Sequence, residues 1–481
     1  MNRRMVLYMV GSVIKIEALL MILPLIVSLI YGENNTAVSF GISIAATMGI
    51  GYAMTLAVRP KNKVIYAKEG FVTVALSWLF LSMVGALPFF ISKEIPSYVD
   101  ALFETVSGFT TTGASILTNV EALSKGMLFW RSFTHWVGGM GVLVFVMAII
   151  PSFSDRSIHL LRAEVPGPVV GKLVPKLRQT ARILYIIYIV LTLIEVVFLL
   201  VGGMPLFESL VHAFGTAGTG GFGVKADSIG SYNSYLQWVI TIFMLIFGVN
   251  FNLYYFILIK KAKLAFKSTE LWFYLGIVGF ATVVITANIF PIYENFSTSI
   301  RTAAFQVSSV MTTTGYATVD FNQWPVFSKS VLLILMFVGG CAGSTAGGFK
   351  VSRVVMLMKT VKRELQRMLH PRSVGVIRFE GKKVDNTTIN GVSSYLAIYA
   401  LFFFLLVFIM GFQNFDIETN ITAVASCFNN VGPAFGVAGP ASSYAEFSDF
   451  SKIILSIAML FGRLEIYPII LTFSPSTWNK K

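Results

Sequence analysis

Charge is scarce in this chain. Lys, Arg, Asp and Glu supply only 12% of its 481 residues, against roughly 25% in a soluble domain, which excludes an ordinary solvated globular protein. Cysteine is almost absent. Cys341 and Cys427 stand far apart in apolar surroundings, so neither a disulfide framework nor a thiolate metal site is available. His135, His159, His212 and His370 are scattered without metal-ligand spacing. An intramembrane enzyme would need a nucleophile with its base, or a metal set, inside apolar segments; the thin supply of His, Cys and paired Asp argues against one. A cleavable signal peptide is not expected either, because the first apolar segment, Met5–Tyr31, is too long for one and carries Lys15 and Glu17.

Apolar residues make up 55% of the chain and the mean hydropathy is +0.75. A membrane-spanning helix needs about 20 mostly apolar residues. Stretches of that kind recur at 5–31, 38–58, 70–92, 127–150, 181–203, 235–260, 271–290, 327–340 with a continuation, 392–413 and 450–473. The expected fold is an all-α polytopic membrane protein with about ten transmembrane helices and no large soluble domain.

The net charge of +14 raises a nucleic-acid partner, but in a membrane protein basic residues first report topology. With the N-terminus inside, the segments 1–4, 59–69, 151–183, 259–270, 350–385 and 474–481 face the cytoplasm and hold 28 of the 37 Lys and Arg residues. Most acids, among them Glu33, Glu94, Asp100, Asp320, Asp416 and Asp449, fall on the other side. Both termini are therefore expected in the cytoplasm, and no nucleic-acid partner is expected. Carboxylates around a pore mouth would also concentrate cations.

Between the long apolar stretches lie four short ones, each running into Gly, Thr or Asn. They contain Thr110-Thr111-Thr112-Gly113, Thr216-Ala217-Gly218, Thr312-Thr313-Thr314-Gly315 and Asn429-Asn430-Val431-Gly432. In the second, Thr219-Gly220-Gly221 offers a shifted alternative. Aligned without gaps on Gly113, Gly218, Gly315 and Gly432, the copies stand 105, 97 and 117 residues apart. Each follows a long and a short apolar segment and precedes another long one. The chain thus divides into a two-helix segment, 1–60, and four repeats, 61–160, 161–265, 266–370 and 371–481.

Non-helical backbone survives at membrane depth only when buried in protein or lining a watery cavity. Four such segments on one axis would present rings of carbonyls that replace the hydration shell of a monovalent cation, and glycine permits the dihedrals this needs. Re-entrant turns that merely pack are the blander reading. An alternating-access carrier coupled to H+ or Na+ is the rival function, although such folds show inverted repeats and these run parallel.

The pattern resembles the superfamily of potassium transporters that includes bacterial Trk and Ktr and their plant and fungal homologues. It looks most like the TrkH-type membrane subunit of a bacterial Trk uptake system, over essentially the whole chain. That resemblance implies uptake of potassium, and of rubidium, across the bacterial cytoplasmic membrane. A filter glycine in all four repeats goes with potassium preference, and the ion is expected at Thr111, Thr112, Gly113, Thr313, Thr314, Gly315, Asn430 and Val431. A homodimer with one pore per protomer is implied too. So is a cytosolic RCK-type (TrkA-like) regulatory subunit carrying the nucleotide sites this chain lacks; potassium is the permeant ion and no covalent cofactor is expected.

Behind each filter the second helix carries glycine, at Gly138-Gly139, Gly248, Gly339-Gly340 and Gly462. The third is the richest, with Gly343, Ser344, Thr345, Ala346, Gly347 and Gly348 close behind. Each glycine costs a helix about 1 kcal/mol against alanine, so this stretch reads as an intramembrane break able to gate the pore; close packing through small residues is the alternative. Arg463 lies at the matching place in the fourth repeat. A charge inside a span is costly and marks a functional candidate, here an electrostatic barrier to cations, or else half of a local ion pair with Glu465. The resemblance implies the same loop and arginine as a gate. Asn250 and Asn252 are further pore-lining candidates. Glu17 and Glu195 are expected to find interhelical partners, and Glu104 and Glu208 to sit at pore-helix N-termini. The basic stretches 151–183 and 350–385 would dock the partner or lie on anionic lipid.

Overall fold

The computed structural model describes residues 1–58, 60, 65–141, 177–373 and 375–479. The described residues are mostly helical, as a membrane demands: without water, backbone N–H and C=O groups must pair within the segment. Two helices come first, Arg3–Ile30 with a bend at Met21 and Asn34–Ala57. They pack backbone to backbone where a Cβ on Gly11 would stand 3.1 Å from the Gly51 carbonyl.

One pattern then recurs four times. A long first helix (Ala67–Ser92, Leu177–Val201, Thr269–Tyr293, Asn386–Met410) is followed by a short helix (Tyr98–Phe109, Leu206–Gly218, Phe296–Met311, Ile417–Asn429). At 1.5 Å per residue the short ones, of 12 to 16 residues, fall short of a hydrocarbon core of about 30 Å. They are buried, and large apolar side chains of the first helices face outward instead, such as Leu193, Val197, Phe280, Val283, Leu401 and Phe404. That division places the short helices inside and the long ones against lipid.

The second helices are Lys125–Gly139, Ser234–Phe247, Val326–Val338 and Asp449–Arg463. Each ends or breaks at its glycine feature. The second resumes as Phe251–Leu258 after a 91° bend, and the fourth as Tyr467–Phe473 after 117°. The third resumes only at Val351–Leu369. Among the described residues six helices are long and apolar enough to span, or eight if each bent pair is one span; about ten spans were expected of the whole chain. Among the described residues the second helices of the second and fourth repeats bend at their breaks and that of the third stops at Val338. Part of the expected helix 127–150 and most of the basic stretch 151–183 lie outside the described residues.

The glycines at these breaks permit contact with the short helices. A Cβ on Gly138 would strike the Phe109 carbonyl, one on Gly139 would stand 2.7 Å from Gly218 Cα, one on Gly248 2.8 Å from Thr312 Cγ2, and one on Gly462 would strike the Phe428 carbonyl. These contacts are at the C-terminal ends of short helices; a Cβ on Gly248 would also meet the Tyr274 hydroxyl at 2.6 Å, and one on Gly339 of the third repeat would meet Gly347 and Gly348 instead. A hairpin, Arg378–Phe379 with Lys382–Lys383, precedes the last first-helix.

Two acids sit differently from expectation. Glu104 is midway along its short helix, not at the N-terminus, and binds Arg131; Glu208 is in a first turn as expected. Glu17 is buried against Gly85 without a hydrogen-bond partner among the described residues, so the expected interhelical partner is not there.

Candidate functional site

The four short helices end in one motif. Thr111, Thr219, Thr313 and Asn430 take left-handed backbone conformations (φ 54° to 57°). Their amides donate to the carbonyls three residues back, Gly108, Thr216, Val310 and Cys427, and the next amides donate five residues back, to Ser107, Gly215, Ser309 and Ser426. This is the Schellman pairing that ends a helix. Asparagine tolerates the left-handed region, but a β-branched threonine there is an outlier costing about 1–2 kcal/mol. Three of the four positions accept that strain, a condition that surrounding structure must enforce and that clusters at functional sites.

Two residues after each left-handed position stands a glycine of positive φ: Gly113 (79°), Gly221 (77°), Gly315 (84°) and Gly432 (103°). A Cβ on each would run into a carbonyl of the following repeat: Gly113 into Gly220, Gly221 into Thr314, Gly315 into Val431, and Gly432 to within 2.6 Å of Thr112. The last contact returns to the first repeat, so the four segments close a ring. Each struck carbonyl belongs to the residue just before the neighbour's glycine. A side chain is excluded at all four positions twice over, by dihedral and by space.

Among the described residues no hydrogen bond reaches the carbonyls of Thr112, Gly220, Thr314 or Val431. Buried backbone carbonyls are nearly always paired, and four equivalent orphans in one ring are a cluster of oxygens open to a cation. The C-terminal ends of the short helices meet there and add negative potential. A cavity of about 460 Å³ opens onto the ring, lined by all four glycines together with Arg131, Phe222 and Tyr444.

Side chains hold the ring from behind. The buried Tyr316 hydroxyl reaches the carbonyls of His212 (3.1 Å) and Phe222 (3.3 Å), tying the third repeat to the second. Ser309 Oγ donates to the Tyr316 carbonyl at 2.6 Å. In the fourth repeat Ser426 and Tyr444 hydroxyls donate to the Gly432 carbonyl at 2.7 and 3.0 Å. Between the first and second repeats, Arg131 pairs with Glu104, donates to the Gly223 carbonyl at 3.1 Å and lies 3.5 Å from the centre of the Phe222 ring. Glu104 in turn accepts from Ser115 and from the Ile116 amide. Asn430 Nδ2 donates to Thr112 Oγ1 at 3.0 Å.

Beneath the ring, on the side of the chain termini, runs the glycine-rich break of the third repeat. Gly339, Gly343 and Gly348 have positive φ (72°, 74°, 77°), as does Lys350 (83°). The Gly347 amide donates to Thr313 Oγ1 (2.6 Å) and the Gly348 amide to the Asn429 carbonyl (3.1 Å), which places the loop against the base of the ring. Thr345 Oγ1 donates to the Phe247 carbonyl, and Ser344 Oγ to that of Cys341. Lys350 Nζ donates to the Ala346 carbonyl. Asn250 stands beside Gly343, where a Cβ would approach its Oδ1 to 3.1 Å; Asn252 only gives its amide to Asn250.

Arg463 reaches the same loop. Its guanidinium donates to the carbonyls of Thr345 (2.9 Å), Gly139 (2.7 Å) and Gly138, joining the fourth, third and first repeats. No ion pair joins Arg463 to Glu465 among the described residues; Glu465 binds Arg353 at 2.5 Å, across the 117° bend that follows Arg463. In the second repeat the backbone follows the shifted register. Thr216, Ala217 and Gly218 complete the helix, while Thr219, Gly220 and Gly221 match Thr111–Gly113, Thr313–Gly315 and Asn430–Gly432. Thr110 and Thr312 cap their helices and Asn429 is the last residue of its own. His212 meets the Tyr232 hydroxyl, which donates to Glu208.

Sequence reasoning missed Glu270. It reads as an acid at a helix start, yet its Oε1 accepts from the amides of Ala342 (2.7 Å) and Ser352 (3.0 Å), at the two ends of the break. Nothing local signals partners 72 and 82 residues away. Among the described residues no cluster of three or more His, Cys, Asp or Glu could hold a metal ion.

This is a polytopic helical membrane protein in which four parallel repeats close a ring of backbone oxygens. A TrkH profile, described as a cation transport protein, matches residues 37–481. The chain is 35% identical to the Trk system potassium uptake protein TrkH of Salmonella typhimurium, covering all of both chains, and 34% identical to TrkG of Escherichia coli K12 over 99% of both. The crystal structure of the potassium transporter TrkH from Vibrio parahaemolyticus superposes with a TM-score of 0.90 at 31% identity over the whole of both chains. The chain belongs to the TrkH family of cation transport proteins, a family of transporters and not of enzymes.

Proposed function

We propose that this chain takes up potassium, with rubidium as a surrogate, through a selective gated pore in the bacterial inner membrane. The observation that carries the reading is the ring of carbonyls at Thr112, Gly220, Thr314 and Val431, which receive no hydrogen bond among the described residues, alternating with four glycines that cannot bear a side chain. Oxygens without donors stand in for water around a cation. Potassium is the ion named for the relatives TrkH and TrkG, and in this reading Thr111–Gly113, Thr219–Gly221, Thr313–Gly315 and Asn430–Gly432 form the filter. Taking Gly221 as the second-repeat glycine rests on its shared backbone conformation. The four-unit division of residues 61–481 and a homodimer with one pore per protomer belong to the same reading.

The gate is the segment Gly343–Gly348 with Arg463. The loop abuts Thr313 and Asn429, and the guanidinium below the ring adds a positive charge to the steric block. Both termini lie in the cytoplasm by the distribution of basic residues. There the helix Val351–Leu369, continuous with the break, meets an RCK-type (TrkA-like) subunit that binds the regulatory nucleotide.

The test is cation influx into proteoliposomes holding this chain alone, with potassium, rubidium, sodium and lithium compared. Electrogenic influx favouring potassium and rubidium without ATP or a proton gradient is expected. Strict dependence on a proton or sodium gradient would replace the pore by a coupled carrier.

A further inference from the structure

Glu270 is buried, with 4% of its surface exposed. One oxygen, Oε1, receives two backbone amides, those of Ala342 and Ser352. These residues bracket the break, so a single carboxylate oxygen holds both of its ends. The loop between them carries Thr345, bound by Arg463, and Gly347, bound to Thr313. Two backbone amides on one carboxyl oxygen tie the ends of the break to each other through a single atom.

The same residue is held from the other side. Its own amide donates to Glu380 Oε1 at 3.0 Å, and Ser268 Oγ donates to the same oxygen at 3.0 Å. Glu380 is at the tip of the Arg378–Lys383 hairpin, where it and Gly381 both have positive φ (49° and 73°), the backbone of a two-residue type I′ turn. That hairpin is anchored: Phe379 is buried in an apolar cluster with Val351, Val355 and Val392, and Lys359 Nζ donates to the Arg378 carbonyl at 2.8 Å. An exposed hairpin, a helix N-terminus and both ends of the break are thus connected by hydrogen bonds through two acids.

We propose that Glu270 is a positioning residue for the gate, clamping the break in its blocking position, and that Glu380 makes the hairpin the handle by which force at the surface loosens the clamp. This rests on the reading of 343–348 as the gate. Arg463 restrains the middle of the loop and Glu270 its ends, so the two act at separate points.

The experiment uses the full chain in proteoliposomes without a partner, comparing Glu270→Ala, Glu380→Ala and Arg463→Ala for potassium influx and potassium-over-sodium ratio. Backbone hydrogen exchange is followed in peptides covering 340–353. Loss of both backbone hydrogen bonds corresponds to about tenfold or more in an equilibrium. Glu270→Ala is therefore expected to raise basal influx about tenfold and Glu380→Ala by a smaller factor, with faster exchange in 340–353 and an unchanged ion ratio. A merely structural role would lower the amount of folded protein without raising influx per protein. If Arg463→Ala raises influx while both glutamate variants behave as wild type, the clamp is wrong and the gate stands. If none of the three raises influx, gate and clamp fall together. Should Glu270→Ala not fold, Glu380→Ala decides alone, and wild-type influx or wild-type exchange in it overturns the proposal.

Discussion

Gly347 donates its amide hydrogen to Thr313 Oγ1 at 2.6 Å. Thr313 is one of the three strained threonines that end short helices, and Gly347 lies in the glycine-rich break. In the reading proposed above, this bond joins the gate to the filter and builds the block onto the base of the third filter segment. Thr313→Val keeps the shape but leaves the buried amide unpaired, at a cost of about 1–3 kcal/mol to the blocking conformation. Basal potassium influx in proteoliposomes should rise at least several-fold, and Thr313→Ser should stay near wild type.

Gly218 and Gly221 make opposite predictions. At Gly221 an added methyl meets the Thr314 carbonyl in a left-handed backbone, so Gly221→Ala should collapse the potassium-over-sodium ratio in competitive uptake. At Gly218 the methyl meets His135 in a helix. Gly218→Ala should lower the yield of folded protein and leave the ratio of the remainder unchanged. Equal ratios in both variants would remove Gly221 from the filter.

Arg463 combines a charge with a fork of donors to three carbonyls. Lysine keeps the charge and cannot keep the fork. Basal influx should increase in the order wild type, Arg463→Lys, Arg463→Ala. A lysine variant equal to wild type would assign the block to charge alone, and one equal to alanine would assign it to the tether.

Tyr316 ties the third filter segment to the second through one hydroxyl. Tyr316→Phe preserves the packing and deletes the tie, with an expected cost of about 1 kcal/mol. Folded yield should change little while the potassium-over-sodium ratio falls; a ratio identical to wild type would reduce the hydroxyl to packing.

The Glu104–Arg131 pair is buried beside the ring. Removing one partner strands the other charge, which costs about 3–5 kcal/mol. Arg131→Met should therefore lose most thermal stability in detergent, and the double variant Glu104→Leu with Arg131→Met should regain part of it.

Much of this architecture is legible in the residues. The apolar stretches locate the six spanning helices among the described residues to within about six positions, because lipid obliges each segment to satisfy its own backbone. The recurrence of Gly113, Gly315 and Gly432 after Thr or Asn marks the helix ends. The second repeat is harder: Gly215, Gly218, Gly220 and Gly221 lie within seven residues, and several registers satisfy the same spacing. Only the left-handed turn at Thr219 selects Gly221.

The amino-acid sequence by itself determined the helices, their fourfold order and the places where a helix must fail, since those depend on composition within one or two turns. The tertiary structure alone decided that Gly432 closes on Thr112, that Arg463 spans Thr345 and Gly139 while Glu465 takes Arg353, and that Glu270 holds Ala342 and Ser352. The physical reason is that most of these partners are backbone carbonyls and amides, which every residue carries. A sequence shows that a donor or a charge exists, but which of many identical backbone groups it meets is settled by packing between segments tens to hundreds of residues apart.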